Sequence, residues 1–293
     1  MVNAGQAPAA PRIRCRPIVD GDLDGLADLL RRGFGARRTR AFWRRALASL
    51  QARAVPAEMP RYGYLLENDG VAVGAILLIF TTTPGGDTLR ANASSWYVEP
   101  AFRGYAPLLV SQALKLKQVT YLNISAARHT WPILEAQGYR RYSNGVFVAM
   151  PALQRSQAGD MRLLAADHRP VAAHEPFERD LLIEHAGYGC ISFWCETRER
   201  AHPFVFRPRL VKSVVPCAQL IYCRDVADVV RFAGPIGRFL ALRGRPFVVI
   251  DANGPIEGLF GRYFDGTMPK FYRGPVRPRL GDLAHTETAL FGM

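Results

Sequence analysis

Residues 93–123 read ASSWYVEPAFRGYAPLLVSQALKLKQVTYLN, and the reading of this stretch decides the fold. Residues 93–98 alternate as a strand and then meet Pro100. A short turn follows, Phe102-Arg103-Gly104-Tyr105-Ala106. Residues 108–118 carry a helical pattern and 119–123 a second strand. A helix entered through a Gly-containing turn presents free backbone N–H groups at its first turn. Arg103 adds a fixed positive charge beside them. The combination suits a phosphate or a pyrophosphate.

Towards the N-terminus, residues 13–17 read as a short strand. Asp20-Gly21-Asp22 precede a helix over 23–32, with Leu23, Leu26, Leu29 and Leu30 on one face. A second helix covers 40–54 and carries Phe42, Trp43 and Leu47, with Arg37, Arg38, Arg40, Arg44 and Arg45 around them. Those arginines read first as a solvated face, and second as a wall for an anionic substrate or for coenzyme phosphates. Residues 61–67 and 71–81 are apolar runs around Asn68-Asp69-Gly70, a strong hairpin signal. Downstream, a short helix over 132–137 ends at Gly138, and 139–142 and 146–150 read as strands around an Asn144-Gly145 turn. Hairpins precede the crossover helix, so the expected fold is α+β with a mixed sheet rather than a doubly wound parallel one.

Residues 153–164 are rich in small and turn-forming types and read as a linker between a first domain, 12–152, and a second, 165–293. The second restarts with a helix over 176–186. Strands follow at 190–195, 204–206 and 218–223, helices at 226–232 and 236–242, and strands at 247–251 and 258–264. Residues 282–291 are expected to return to the sheet. This order echoes the first half, so two related domains in tandem are expected.

Composition narrows the class. The 293 residues suffice for one large domain or two ordinary ones, and 49% of them are hydrophobic, enough for packed cores. A mean hydropathy of −0.03 argues against disorder. The formal net charge is +13, carried by 34 Arg and 4 Lys. The ratio reads as Arg-favouring codon usage. The charge itself favours anionic partners such as coenzyme phosphates or an acidic substrate, and being spread along the chain it does not point to nucleic acid. Cys15, Cys190, Cys195, Cys217 and Cys223 are odd in number and lack zinc-knuckle spacing. They read as buried thiols in a reducing, cytoplasmic compartment, with no metal site. The first residues lack the apolar core of a secretory signal, and the longest apolar run, 71–80, is too short to span a bilayer, so no membrane partner is expected. Nothing in the chain reads out an oligomeric state.

Val98-Glu99-Pro100-Ala101-Phe102-Arg103-Gly104-Tyr105-Ala106 resembles the acyl-coenzyme-A-binding motif of the GCN5-related N-acetyltransferase superfamily. That motif runs apolar-x-Pro-x-x-Arg/Gln-Gly-x-Gly-x-Gly/Ala, from the end of a central strand into a helix. Leu134-Glu135-Ala136-Gln137-Gly138-Tyr139 resembles the family's closing motif. The first helix and the hairpin stand in the family's order, and the resemblance covers residues 12–150. It implies an acyl-CoA N-acyltransferase fold, here with a degenerate second copy, and acetyl-CoA or another acyl-CoA as co-substrate. It further implies that strands ending at Val98 and beginning at Val119 splay apart. Pantetheine would run along the backbone of Tyr97 and Val98. The pyrophosphate would rest on N–H groups of Arg103, Gly104, Tyr105, Ala106 and Leu108. Such enzymes work by direct transfer: an amine attacks the thioester, a base removes its proton and N–H groups hold the oxyanion. The implied activity is N-acetylation of a small-molecule acceptor, an anionic one being compatible with the charge.

Three positions depart from that pattern. Ala106 replaces the central glycine, and Pro107 after it removes a donor, though proline is tolerated in a first helical turn. Leu134 aligns with the tyrosine that commonly protonates the departing thiolate. Ala127 stands near the usual asparagine. Other candidates for proton chemistry are His129, between strand and closing helix, Ser94 on the strand entering the cleft, and Tyr142 opposite. Ser95 is expected to face away from Ser94. Two alternative readings follow: a non-catalytic acyl-CoA binder or sensor that has lost its acid, or an anion- or RNA-directed protein using the arginines of 37–45. In the second half, 231–237 (RFAGPIG) faintly resembles the phosphate motif but follows a helix, which argues against a second coenzyme site.

Overall fold

The computed structural model describes residues 12–35, 38–155, 159–211 and 214–292. In chain order the first half forms β1 (Ile13–Pro17), α1 (Leu23–Phe34), α2 (Arg40–Ala52), β2 (Gly63–Asn68), β3 (Val71–Thr82), β4 (Leu89–Val98), α3 (Ala106–Ala113), β5 (Thr120–Asn123), α4 (Trp131–Ala136) and β6 (Arg140–Ala149). The second forms β7 (Arg162–Ala165), α5 (Pro176–Gly187), β8 (Ile191–Glu196), β9 (Ala201–Val211), β10 (Val215–Cys223), α6 (Val226–Arg231), α7 (Ala233–Ala241), β11 (Phe247–Ala252), β12 (Gly261–Arg273) and α8 (Glu287–Phe291). Contacts group these into two compact units: the chain up to Leu78 with Ala93–Leu116, and Ile79–Asn92 with everything from Lys117 onward. The division does not fall at 153–164, since the start of β7 and the 3₁₀ turn Pro151–Leu153 both lie inside the second unit.

In the first unit β1 pairs antiparallel to β2, and β2 to β3. Asp69 and Gly70 both take positive φ, 48° and 81°, as a two-residue hairpin turn requires. The apolar run of β3 is buried almost throughout, as befits a central strand. α1 turns Leu26, Leu29 and Leu30 inward and α2 turns Trp43, Leu47 and Leu50 inward. Thr39 starts α2, its hydroxyl accepting from the Phe42 N–H at 3.2 Å. The arginines around α2 are not a bare basic face. Arg40 pairs with Asp28 at 3.0 Å and Asp24 at 3.2 Å, and Arg44 reaches Asp24 at 3.6 Å. Arg38 lies over the rings of Phe34 and Trp43, whereas Arg37 lies outside the described residues.

In the second unit the strands run in the order β4-β5-β12-β6-β11-β10-β9-β8-β7. Two adjacent pairs are parallel, β4 with β5 and β10 with β11; the others are antiparallel. The second half repeats the first half's order of strand, helix, hairpin, strand, helix and strand. Each half then gives up its last strand: β6 pairs with β11, and β12 with β5. The last strands of the two halves of the sequence thus lie side by side, each next to strands of the other half. That exchange ties the end of the first half to the second and explains why the compact units do not follow the halves of the sequence. Val229, Phe232, Ile236 and Leu240 of the α6–α7 region pack on one face against Phe193, Phe204 and Phe206. On the other face Leu181, Leu182 and Ala289 pack against Trp194, Val205 and Ile221. All five cysteines are free thiols, and four of them are buried. Among the described residues no helix is long and apolar enough to cross a membrane.

Several sequence expectations are corrected. β6 runs unbroken, so Asn144-Gly145 is not a turn. Gly145 sits in mid-strand opposite both Ala252 and Asp265, and a Cβ there would run into the carbonyl oxygen of Phe264. Glycine here permits close approach of two strands, which leaves the same mark in sequence as a turn. Residues 261–264 and 270–272 belong to one strand, β12, Gly234-Pro235 lie inside α7, and 282–291 meet the sheet only at Asp282, opposite Tyr222, before ending in α8.

Candidate functional site

The site lies at the end of β4, past the residues that pair with β5. The two pair at only three positions, Arg90↔Thr120, Ala91↔Tyr121 and Asn92↔Leu122. Beyond them β4 kinks: Ser95 has φ of +51°, a left-handed conformation that serine seldom adopts. The Ser94 and Ser95 hydroxyls lie 3.0 Å apart. Strict alternation would place them on opposite faces, and the kink of a β-bulge brings them together. The expectation for Ser95 is corrected accordingly, and both serines are buried.

The end of β4 is held by its own unit. The Tyr97 ring lies so close to Gly33 of α1 that any Cβ there would strike it, and Gly74 leaves room for Val98. Glu99 donates its N–H to Val73 O at 2.9 Å, and its carboxylate holds Arg32 at 2.7 Å. Tyr97 and Val98 thus turn their side chains into the protein, and their main chain is what remains for a ligand.

The turn after Glu99 differs from the open loop expected. Pro100–Tyr105 is a 3₁₀ turn that runs directly into α3. The Phe102 N–H donates to Glu99 O at 2.9 Å, and the Ala106 N–H donates to Arg103 O. Bonds of this i→i−3 kind engage the Phe102 and Ala106 amides, and Pro107 has none to offer. Ala106 and Pro107 both accept helical dihedrals, so the chain winds where glycines would have left it open. Two features still suit an anion. Arg103 is exposed and has no ion pair among the described residues. Gly104 is exposed and outside the left-handed region, and a Cβ on it would meet nothing within 4 Å. The fold does not ask for glycine at 104, whereas close approach of a ligand to the backbone would. Tyr105 and Leu108 are exposed beside them and Ala106 is half-buried.

The residues expected to move protons stand in unlike surroundings. His129 is exposed on the 3₁₀ turn Arg128–Thr130. Tyr142 is buried in β6, edge-on to Tyr272, and its hydroxyl has no partner. Burial first, then Asp251 and Asp282, push its pKa well above the ordinary tyrosine value. Leu134, at the position of the missing acid, is buried in α4. Sequence reading missed a set of buried polar groups in the second unit. Arg90 pairs with Asp282 at 2.9 Å and donates to Ala284 O at 2.7 Å. Asn92 accepts from the Glu287 N–H at 2.8 Å. Lys270 is 1% exposed and donates to Ile124 O at 2.8 Å. Their signal was present: Arg90 and Asn92 stand two apart in an apolar strand and so share one of its faces.

The second half has its own parallel pair, and the chain itself occupies it. β10 and β11 pair over Cys217↔Phe247 to Gln219↔Val249, and β10 then bulges at Ile221. Leu283 donates its N–H to Ile221 O at 2.7 Å, Cys223 donates to Gly281 O at 3.0 Å, and Asp282 bridges to Tyr222. The following helix, α6, is capped by the Asp225 carboxylate, which accepts from the Ala227 N–H at 2.9 Å. Residues 231–237 run from α6 into α7. Both features that a coenzyme would use are taken by the protein's own groups.

Glu184, His185 and His285 bring three ligand-type atoms within 4.8 Å of one another. Hydrogen bonds account for them. His185 donates from Nδ1 to Leu181 O at 2.8 Å and accepts the His285 N–H on Nε2 at 3.1 Å, and His285 Nε2 lies 2.8 Å from Glu184 Oε2. Both ring nitrogens of His185 are engaged, so no lone pair is left for a metal. Burial first, then His285, push the His185 pKa down to about 3, in keeping with a neutral ring.

No family model matches the chain, and no curated protein does. Solved structures do match. A GCN5-related N-acetyltransferase from Kribbella flavida is similar over 92% of this chain and 72% of its own, at 14% identity and a TM-score of 0.56. A putative acetyltransferase from Pyrococcus horikoshii is similar over 93% and 92%, at 10% identity and a TM-score of 0.52. Eis1 from Mycobacterium abscessus is similar over 89% and 73%, at 15% identity and a TM-score of 0.50. The chain has the GCN5-related N-acetyltransferase fold.

Proposed function

We propose that the protein is an acyl-CoA-dependent acyltransferase that moves an acetyl group from acetyl-CoA to an amine of a small molecule by direct attack. The observation that carries this reading is the exposed Gly104, which neither packing nor backbone requires, placed beside the unpaired Arg103 at the end of a kinked β4. Arg103 would meet the phosphates with its guanidinium, and Gly104 would let them reach the main chain. With the turn wound up, the side-chain charge contributes more than the amides. Backbone groups of 93–98 would hold the pantetheine arm, and the bound acyl-CoA supplies the activated thioester.

The experiment is calorimetric titration of acetyl-CoA into wild type and Arg103→Ala. Loss of a charge-assisted contact is expected to cost about 1.5–3 kcal/mol, roughly 10–150-fold in affinity. Unchanged affinity would show that the phosphates lie elsewhere. A second reading, a binder without turnover, draws on Leu134, whose buried aliphatic side chain cannot protonate a thiolate. It differs in one measurable respect: acetyl-CoA would bind, and no acceptor amine would release its thiol.

A further inference from the structure

We infer that two copies of this chain pair edge to edge through residues 261–265 of β12, antiparallel about a two-fold axis at Tyr263. The inference draws nothing from the acyl-CoA reading. β5 ends at Asn123, opposite Phe271 of β12. The part of β12 before that point, 261–268, has β6 on one side and, among the described residues, no strand on the other. Of 261–268 only Tyr263 is not exposed; Phe264 is 40% exposed, and Phe260 just before the strand is 53% exposed. A strand edge open in this way is a template for a further strand. The register with β6 fixes which main-chain groups are open. Phe260 accepts the Met150 N–H at 2.9 Å, and pairing runs unbroken from Gly261↔Ala149 to Asp265↔Gly145. Groups in an antiparallel ladder alternate in direction. Those of Arg262 and Phe264 therefore point to β6, and those of Gly261, Tyr263 and Asp265 point to the open edge. Among the described residues the one group bonded to them there is the Thr267 hydroxyl, 3.5 Å from Asp265 O.

What selects a second copy is that this edge complements itself. A two-fold axis perpendicular to the sheet keeps every side chain on its own face. Residues that meet across it must then be an even number of positions apart in sequence. An axis at Tyr263 meets this condition and sets Tyr263 opposite Tyr263, Gly261 opposite Asp265 and Arg262 opposite Phe264. All three outward residues then fall in hydrogen-bonded pairs. Arg262 and Phe264 fall in the pairs between, where side chains approach most closely. The Arg262 guanidinium already lies 5.5 Å from the ring of its own Phe264. Across the axis the same charge meets the partner's ring, and the two-fold makes that contact twice. An axis at Phe264 would instead stack Phe264 on Phe264, set Arg262 against Gly266 and leave the outward groups of Gly261 unused.

The test is sedimentation equilibrium of the full-length protein from micromolar to millimolar concentration. The expected wild-type mass rises with concentration towards twice the 32.6 kDa of one chain. Arg262→Ala removes both guanidinium–ring contacts and should raise the dissociation constant roughly 5–30-fold. Asp265→Pro removes an outward N–H and leaves the bonds to β6 intact, so it should weaken the dimer at least about tenfold while a thermal melt shows the fold retained. The register is read by disulfide formation. Arg262→Cys and Phe264→Cys proteins, mixed and oxidised, should link to each other, since paired residues stand close enough for the bond. Neither variant alone should link to itself. The wild type, whose thiols are buried or half-buried, is the unlinked control. Because Arg262 and Phe264 are both exposed, this readout still decides the matter should proline at 265 disturb the fold. A wild type that keeps the monomer mass at every concentration would overturn the pairing. So would an Asp265→Pro or Arg262→Ala protein that dimerises as the wild type does, or a Phe264→Cys protein that links to itself in preference to Arg262→Cys.

Discussion

Gly104→Ala should raise stability and lower coenzyme affinity at once. Gly104 lies in the turn Pro100–Tyr105, has no left-handed φ, and offers open space to a Cβ. Alanine at such a site restricts the unfolded chain more than the folded one and stabilises by about 0.4–1 kcal/mol. For a chain of this size that raises Tm by roughly 1–3 °C. The same methyl group projects from the face where phosphate would approach the main chain. Forcing one extra methyl group into a close contact costs about 1–3 kcal/mol, or roughly 5–150-fold in acetyl-CoA affinity. The assay is a thermal melt without ligand beside a calorimetric titration with acetyl-CoA. A packing role for Gly104 would lower Tm, and an idle surface glycine would leave affinity untouched. Either result refutes the reasoning, because only a ligand-facing glycine moves the two quantities in opposite directions.

Asp282→Asn should cost about 3–5 kcal/mol in urea unfolding at pH 7, since it leaves Arg90 buried without its counter-charge. Burial alone would raise the Asp282 carboxyl, but Arg90 and then Arg279 outweigh it and hold the pKa below the ordinary value. A lowered folded pKa gives stability that is present above the unfolded value, near 4, and lost as pH falls through the folded one. The gap between wild type and variant should therefore shrink in acid, and a loss under about 1 kcal/mol at pH 7 would contradict the pairing. The His185 ring should stay neutral by NMR from pH 7 to pH 4, because its folded pKa lies at about 3. Between the unfolded value near 6.5 and that point the unfolded chain takes up a proton that the folded chain does not, so stability falls with acid by up to about 1.4 kcal/mol per pH unit. A ring titrating near 6.5 would overturn this. Gly145→Ala should destabilise by about 2 kcal/mol or more, because its methyl group meets the Phe264 carbonyl. Retained stability would mean that Asn144-Gly145 is a turn after all.

The first half of the fold was legible because its signals are local. The Asp69-Gly70 turn, the leucine face of α1 and the strand–turn–helix of 93–123 each lie within a few residues of one another. The exchange of β6 and β12 was not legible, because it pairs strands more than a hundred residues apart, and no local pattern marks which partner a strand will take. Gly145 misled for a related reason. A glycine that admits a neighbouring strand and one that turns a chain look alike until the neighbour is known. At the candidate site, the turn that carries Arg103 and Gly104 was readable, and both residues are exposed there. The winding of their turn follows from Ala106 and Pro107, which were noticed but whose consequence for the amides needs the three-dimensional path. In the second unit, the hydrogen bond from Ser125 to the buried Glu287 was out of reach, since 162 residues separate the two.

The most direct test of the central claim is a crystal structure of the protein grown with acetyl-CoA. The account predicts one coenzyme per chain, with its pyrophosphate on Arg103 and Gly104 and its pantetheine along the main chain of 93–98. It also predicts no coenzyme at β10, where Gly281–Leu283 already lie. Coenzyme at β10, or no coenzyme at the Arg103–Gly104 turn at saturating acetyl-CoA, would contradict it.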